Sequence, residues 1–333
     1  MTGTSVQMFR GCLLGQCLAD ALGFPVEGHA KDDCNSFIFR QVKSWFEGHK
    51  PTRDEWPGQY TDDSQLAREL LESMVENRGF DPVDYASRIA AIFRENRIVG
   101  RGMATDRAAR NLDKGIGWDE SGTPPPSAGN GTAMRAAPVG MFYYDDIEEM
   151  IRAAHTQGWI THQDTRCSAG SVAIAGAVAL ALRGEAEDTS AFIENLSKWA
   201  AYYDDEFSKL ILVLKDWVLL PPHQALDPIR RAGKPDDYVE MWPGISPFVV
   251  GSVLWSLYSF LHYKDSFRDA VATAISVGGD VDTTGAMTGA IAGAYHGEDA
   301  LPKHLLKMLN DNDTWGYDEL IALADSCYEI KTA

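Results

Sequence analysis

The sequence predicts an all-α fold, a single compact helical domain over residues 1–333 with about a dozen helices. Three observations predict it. Apolar residues recur with a 3.6-residue period along most of the chain. No stretch alternates with a period of two for long enough to suggest a sheet. Three of the helices carry small residues at every fourth position, a stripe on one helical face that lets backbones approach closely. The composition agrees. A chain of 333 residues that is 45% hydrophobic and 23% charged can bury a large core, which excludes disorder and collagen-like structure.

The first helix covers residues 5–22, with Phe9, Cys12, Leu13, Cys17, Leu18 and Leu22 as its apolar positions and Gly11, Gly15, Ala19 and Gly23 as its small stripe. Residues 64–77 place Leu66, Leu70, Leu71 and Met74 on one face. Similar periodicity marks 82–95, 146–155, 168–182, 188–202, 205–218, 247–262, 265–276, 284–295, 300–309 and 318–329. The 168–182 helix carries Ala169, Ala173, Ala177 and Ala181. The 284–295 helix carries Gly285, Gly289, Gly293 and then Gly297. Glycine inside a helix costs up to about 1 kcal/mol relative to alanine, so tight packing of central helices is needed to offset it. Residues 241–263 hold no formal charge. After Pro247 only about 16 residues remain, short of the roughly 20 that a bilayer requires, so a buried helix with Pro247 in its first turn is expected. Residues 219–245, with five prolines, read as an irregular stretch.

The charge balance narrows the partners. Thirty basic residues against 48 acidic ones leave a net charge of −18, which repels phosphate backbones and anionic membranes. The same field suits cations. The five cysteines, Cys12, Cys17, Cys34, Cys167 and Cys327, form no CxxC pair and no regular framework, which fits a reducing compartment. The start of the chain has no signal-peptide layout.

Five segments could carry chemistry. Thr61-Asp62-Asp63-Ser64 precedes the 64–77 helix. One residue suffices to cap a helix, yet this segment supplies two adjacent carboxylates and two hydroxyls. Gly278-Gly279-Asp280-Val281-Asp282-Thr283 precedes the 284–295 helix and repeats the pattern. Hard cations such as Mg²⁺ and Mn²⁺ take oxygen ligands of this kind. Four carboxylates converging without cations would repel one another and partly neutralise. Ser127-Ala128-Gly129-Asn130-Gly131-Thr132 is a glycine-rich loop that reads as entering a helix, an arrangement suited to phosphate or to an ordinary turn and cap. His162, in Thr161-His162-Gln163-Asp164, is a ligand contact or a capping group. Asp20 and Glu27 lie at the end of the first small-residue helix and could face the same centre.

In this order the five segments resemble the ADP-ribosylglycohydrolase family, whose members include hydrolases of ADP-ribosyl-arginine and ADP-ribosyl-serine and the dinitrogenase-reductase-activating glycohydrolase. The stretches that carry the resemblance are GCLLGQCLADALGFPVEG, YTDDSQLA, GNGTAMRAAPVG, THQDTRCSAGSVAIAGAVALAL and SVGGDVDTTGAMTGAIAGAYHG. The resemblance implies an orthogonal all-α fold with two divalent cations, Mg²⁺ or Mn²⁺. Their ligands would be Thr61, Asp62, Asp63, Asp280, Asp282 and Thr283. Glu27 would ligate a cation or polarise water. Ser127, Gly129, Asn130, Gly131 and His162 would hold ADP-ribose, and Arg135 would brace the loop. The implied reaction is attack of metal-activated water at the anomeric carbon, with Asp62 or Asp63 orienting or deprotonating that water. The substrate would be an ADP-ribosylated protein, with arginine as the acceptor and ADP-ribose as a product; the alternatives are a different ADP-ribosyl conjugate (a serine O-linkage, a nucleotide or a small molecule) or a family member that binds ADP-ribose without catalysis. A cytoplasmic monomer without nucleic-acid or membrane partners is expected. Residues 100–110 depart from the dinitrogenase-reductase enzyme in lacking its aspartate, with Asp106 offset. The 219–245 stretch has no assignable counterpart.

Overall fold

A computed structural model describes residues 3–235 and 237–333. Among the described residues thirteen helices have nine residues or more: α1 Val6–Gly23, α2 Asp62–Asn77, α3 Pro82–Arg94, α4 Met103–Asp113, α5 Ile147–Trp159, α6 Thr165–Leu182, α7 Thr189–Ala200, α8 Asp205–Trp217, α9 Pro222–Arg231, α10 Val249–His262, α11 Phe267–Ile275, α12 Val281–His296 and α13 Tyr317–Thr332. Shorter helices at Lys31–Phe37, Lys43–Phe46, Ala137–Phe142 and Lys303–Leu306 lie between them. Among the described residues there is no strand, only isolated bridges between loops. Aspartate begins many of the helices. Asp81, Asp146, Asp164, Asp188 and Asp204 each accept a backbone N–H at the start of α3, α5, α6, α7 and α8. Each satisfies donors that the first turn leaves open.

The glycine stripes of α1 and α12 lie against each other. A Cβ on Gly15 would sit 2.4 Å from the Gly289 carbonyl oxygen, and one on Gly289 would sit 2.2 Å from the Gly15 carbonyl oxygen. Only glycine permits this approach, so the cost of glycine within both helices is offset by backbone contact. α6 passes through the centre, buried continuously from Cys167 to Leu182, and packs on α10 and α12. It is the one described helix long and apolar enough to cross a membrane, and 89% of it is buried inside the protein. In α10 every residue from Val249 to Leu261 is buried, as the core reading of 241–263 predicts.

Several boundaries differ from the sequence reading. α10 starts at Val249, so Pro247 lies in the preceding loop and not in the first turn. Residues 300–309 hold only the short helix Lys303–Leu306, because Pro302 blocks continuation from the turn before it. The 219–245 stretch is not irregular throughout. α9 forms within it, with Pro222 in the first turn, where proline's missing N–H costs nothing. Both acidic helix starts begin earlier than periodicity indicates. Asp62 and Asp63 lie in the first turn of α2 and Asp282 in the first turn of α12, because polar first turns carry no apolar signal.

Candidate active site

The N-termini of α2 and α12 open onto one cleft of about 370 Å³. Asp20, near the end of α1, organises the first of them. Its carboxylate accepts from the Thr61 backbone N–H at 3.0 Å, the Thr61 hydroxyl at 2.9 Å and the Ser64 N–H at 3.1 Å. Asp62 is held by its own N–H on the Val99 carbonyl at 2.7 Å. On α12, Asp280 accepts from the Asn130 amide at 2.5 Å and from the Thr283 hydroxyl at 3.1 Å. Carboxylate oxygens of Asp20, Asp63 and Asp282 all lie within 4.8 Å of one another, and so do those of Glu27, Asp280 and Asp282. Asp282 belongs to both groups and joins them. Two segments more than two hundred residues apart in sequence thus meet. Thr61 is buried with its hydroxyl between Asp20 and Asp63, while Asp62, Asp63, Asp280, Asp282, Thr283 and Glu27 line the cleft.

Burial is the largest influence on these acids. It pushes Asp62, Asp63 and Asp282 well above the usual carboxylate range, and the charges of their neighbours push further. Burial raises Asp280 as well, against the hydrogen bonds from Asn130 and Thr283. Glu27, exposed at the edge, is raised by its partial desolvation and then by Asp280. Among the described residues no lysine, arginine or histidine forms a salt bridge to any of these acids. Asp63 Oδ1 is buried with no hydrogen-bond partner. An orphaned carboxylate oxygen within an all-oxygen donor set fits a hard divalent cation.

The glycine-rich loop forms a further part of the cleft wall. Its backbone is fixed by the Asn130 N–H on the Pro247 carbonyl at 2.9 Å and by the Val249 N–H on the Ala128 carbonyl at 3.0 Å. The loop does not lead straight into an α-helix. Asn130–Thr132 is a single 3₁₀ turn, and the next helix begins only at Ala137. Any anion held here therefore meets loop N–H groups without the dipole of an α-helix. Ser127, Gly129, Asn130 and Gly131 line the cleft, and His162 sits beside the two glycines. Arg135 is fully buried. It donates to the Gly131 carbonyl at 2.7 Å and the Gln157 side chain at 2.8 Å, so it braces the loop, as the sequence suggests.

Sequence reasoning missed part of the wall. Gly100, Arg101, Gly102 and Met103 line the cleft next to Asp62, and Trp242 lines it from the proline-rich stretch. A Cβ on Gly100, whose φ is +71°, would lie 2.8 Å from Asp62 Oδ1. The glycines flanking Arg101 were the available signal. Nothing in the local pattern around Trp242 announces a role.

A sequence model of the ADP-ribosylglycohydrolase family matches residues 1–332. The chain is 30% identical to ADP-ribosylhydrolase ARH3 of Xenopus tropicalis over 345 residues, covering 95% of each chain. It is 27% identical to ADP-ribosylarginine hydrolase Tri1 of Pseudomonas putida over 301 residues, covering 88% of this chain and 71% of that one. A solved ADP-ribosylglycohydrolase-related protein complex shares the fold with a TM-score of 0.70 and 26% identity, covering 98% of both chains.

Proposed function

The chain belongs to the ADP-ribosylglycohydrolase family, and on that premise we propose that it is a hydrolase that frees ADP-ribose from a modified arginine side chain, using two divalent cations, Mg²⁺ or Mn²⁺. The observation that carries this reading is the meeting of two acidic helix starts in a cleft also lined by a glycine loop and a buried histidine. Thr61, Asp62, Asp63, Asp280, Asp282 and Thr283 would hold the cations. Bound there, such ions offset the carboxylates' repulsion and make water a nucleophile near neutral pH.

The chain's own residues supply the rest. Loop N–H groups and His162 hold the diphosphate and fix the distal ribose over the acids. Asn130 does not need to touch the ligand to matter, since its amide orients Asp280. Asp62, Asp63 or Glu27 takes the proton of the attacking water. The water oxygen bonds to the anomeric carbon as the bond from that carbon to the acceptor nitrogen breaks, through an oxocarbenium-like transition state. The electron pair of the broken bond leaves with the guanidine nitrogen, which takes up the proton that the carboxylate removed from the water.

Arginine as acceptor is supported by the Pseudomonas putida relative, whose name specifies it. An O-linked acceptor such as serine is the second reading. The Xenopus tropicalis relative, whose name leaves the acceptor open, is more identical and covers more of the chain. Release of labelled ADP-ribose from arginine-modified and serine-modified protein tests both, each with Mg²⁺, with Mn²⁺ and with EDTA. Metal-dependent release from the arginine substrate alone is expected. Asp62→Ala and Asp282→Ala are expected to fall to background. Full activity in either variant, or in EDTA, would overturn the two-cation reading, and release from serine alone would move the acceptor.

A further inference from the structure

His162 is only 3% exposed, yet it lines the cleft. Its ring lies against the glycine loop. A Cβ on Gly129 would sit 3.2 Å from Nε2, and one on Gly131 would sit 2.9 Å from Cε1. Nδ1 lies 2.8 Å from the Thr161 hydroxyl oxygen, while Nε2 has no hydrogen-bond partner among the described residues. A neutral imidazole carries one proton, and the partner of Nδ1 decides where it sits.

The hydrogens around Thr161 can be counted. Arg135 Nη2 donates to the Thr161 hydroxyl oxygen at 2.7 Å, and a guanidinium can only donate. The hydroxyl's own hydrogen has two acceptors in reach, the Gly158 carbonyl at 3.4 Å and His162 Nδ1 at 2.8 Å. The Gly158 carbonyl already accepts the N–H groups of Thr161 and His162, each at 3.0 Å, and that of Ile160, so it is the crowded as well as the more distant of the two acceptors. The hydroxyl hydrogen therefore goes to Nδ1. An accepting Nδ1 is unprotonated, so the ring's proton is on Nε2.

Two charges face the ring. Arg135 opposes a second proton. Asp164 favours one, but it is committed to Arg166 at 2.9 and 2.7 Å. Burial is the largest influence, and with Arg135 it holds the imidazole down to about 3, so the ring stays neutral.

We propose that Arg135 and Thr161 are positioning residues that lock His162 as the Nε2–H tautomer, so that the ring gives the cleft one N–H donor for a phosphate oxygen. The chain Arg135–Thr161–His162 starts at the guanidinium that also holds the Gly131 carbonyl. One buried cation thus sets both the loop and the donor facing it. A ring locked this way has no lone pair directed into the cleft, which excludes His162 as a metal ligand. The choice of phosphate rests on the hydrolase reading, whereas the tautomer does not.

The test is ¹⁵N NMR of the full chain labelled at histidine, with His162 signals assigned by their loss in His162→Asn. An N–H-type Nε2 and an unprotonated Nδ1 are expected, unchanged from pH 5.5 to 8. Thr161→Val should mix the two tautomers and Thr161→Ser should restore one. A protonated Nδ1, a ring that titrates in that range, or an unaltered tautomer in Thr161→Val would overturn the lock. ADP-ribose should shift the Nε2 signal in the wild type. Its Kd should rise about tenfold in Thr161→Val and recover in Thr161→Ser, the effect of one misdirected hydrogen bond. Calorimetric binding without a shift at Nε2 would overturn the donor role. Absence of any ADP-ribose binding, with the tautomer as expected, would overturn the hydrolase reading and leave the lock standing.

Discussion

At the scale of single residues, the acids of the cleft set function against stability. Folding raises the pKa of Asp62, Asp63 and Asp282 above the 3.8 of an ordinary aspartate. Between that value and the raised ones, the folded chain holds protons that the unfolded chain has released. Stability without cations therefore falls as pH rises through this window. Cations bind the deprotonated acids, so their stabilisation grows in the same direction. Asp282→Asn should separate the two effects, because its side-chain oxygen can still accept the Thr283 N–H that Asp282 accepts at 2.9 Å. In EDTA at pH 7.5 the variant should melt higher than the wild type by about 1–2 °C, which corresponds to about 1 kcal/mol. With Mg²⁺ it should melt lower. Mg²⁺ should also raise the wild-type midpoint more at pH 7.5 than at pH 5. Equal shifts at the two pH values would mean that the ions act elsewhere. Most of these residues were legible in the sequence, since paired aspartates beside threonine exceed what a cap needs. Asp20 was visible only as an acid at the end of a glycine helix. That it grips Thr61 and Ser64 depends on a crossing no local pattern encodes.

At the scale of elements, the crossing of α1 and α12 positions the chemistry. α1 carries Asp20 near its end, while Asp280 immediately precedes α12 and Asp282 lies in its first turn. Glycine at the contact thus sets how far apart the acids stand. Gly289→Ala adds one methyl group that would lie 2.2 Å from the Gly15 carbonyl, and backbone cannot yield as a side chain can. Destabilisation of about 2 kcal/mol is expected in urea denaturation, despite alanine's higher helix propensity. Weaker Mg²⁺ binding should accompany it, since the helices must separate. A variant as stable as the wild type would show that the crossing tolerates more space. The stripes were readable because spacing four is a local property. Which stripe met which was not, and neither was α9, whose prolines read as a breaker. Pro222 occupies a first turn, where proline is compatible with helix, and Pro228 lies inside one, where it is not the usual choice.

Across the whole molecule, the cleft is assembled by elements that never touch it. α13 contributes no lining residue, but Leu320, Leu323, Ala324 and Cys327 are buried and the helix packs on α1 and α2. Arg10 of α1 closes a two-pronged ion pair on Asp325 of α13, both contacts at 2.6 Å. Just before α13, Asp311 meets the fully buried Arg68 at 2.6 Å and the Gln65 amide at 2.6 Å. Gln65 also accepts the Val99 N–H at 2.8 Å and donates to the Arg97 carbonyl at 2.9 Å. That loop continues to Gly100 and Gly102 beside Asp62. A path of hydrogen bonds, buried at Asp311 and part-buried at Val99 and Arg97, therefore runs from Asp311 to the segment beside Asp62. Asp311→Ala should remove its anchor, leaving Glu69 as the acid paired with the Arg68 charge among the described residues. Breaking a buried pair from one side costs about 3–5 kcal/mol. Asp311→Asn keeps the acceptor for Arg68 but not the charge, and its cost should be smaller. If the path positions Asp62, both variants should lose Mg²⁺ affinity in the same order as they lose stability, under conditions where each remains folded. Calorimetric Mg²⁺ titration beside urea unfolding measures the two together. Lost stability with unchanged Mg²⁺ affinity would confine Asp311 to holding the fold.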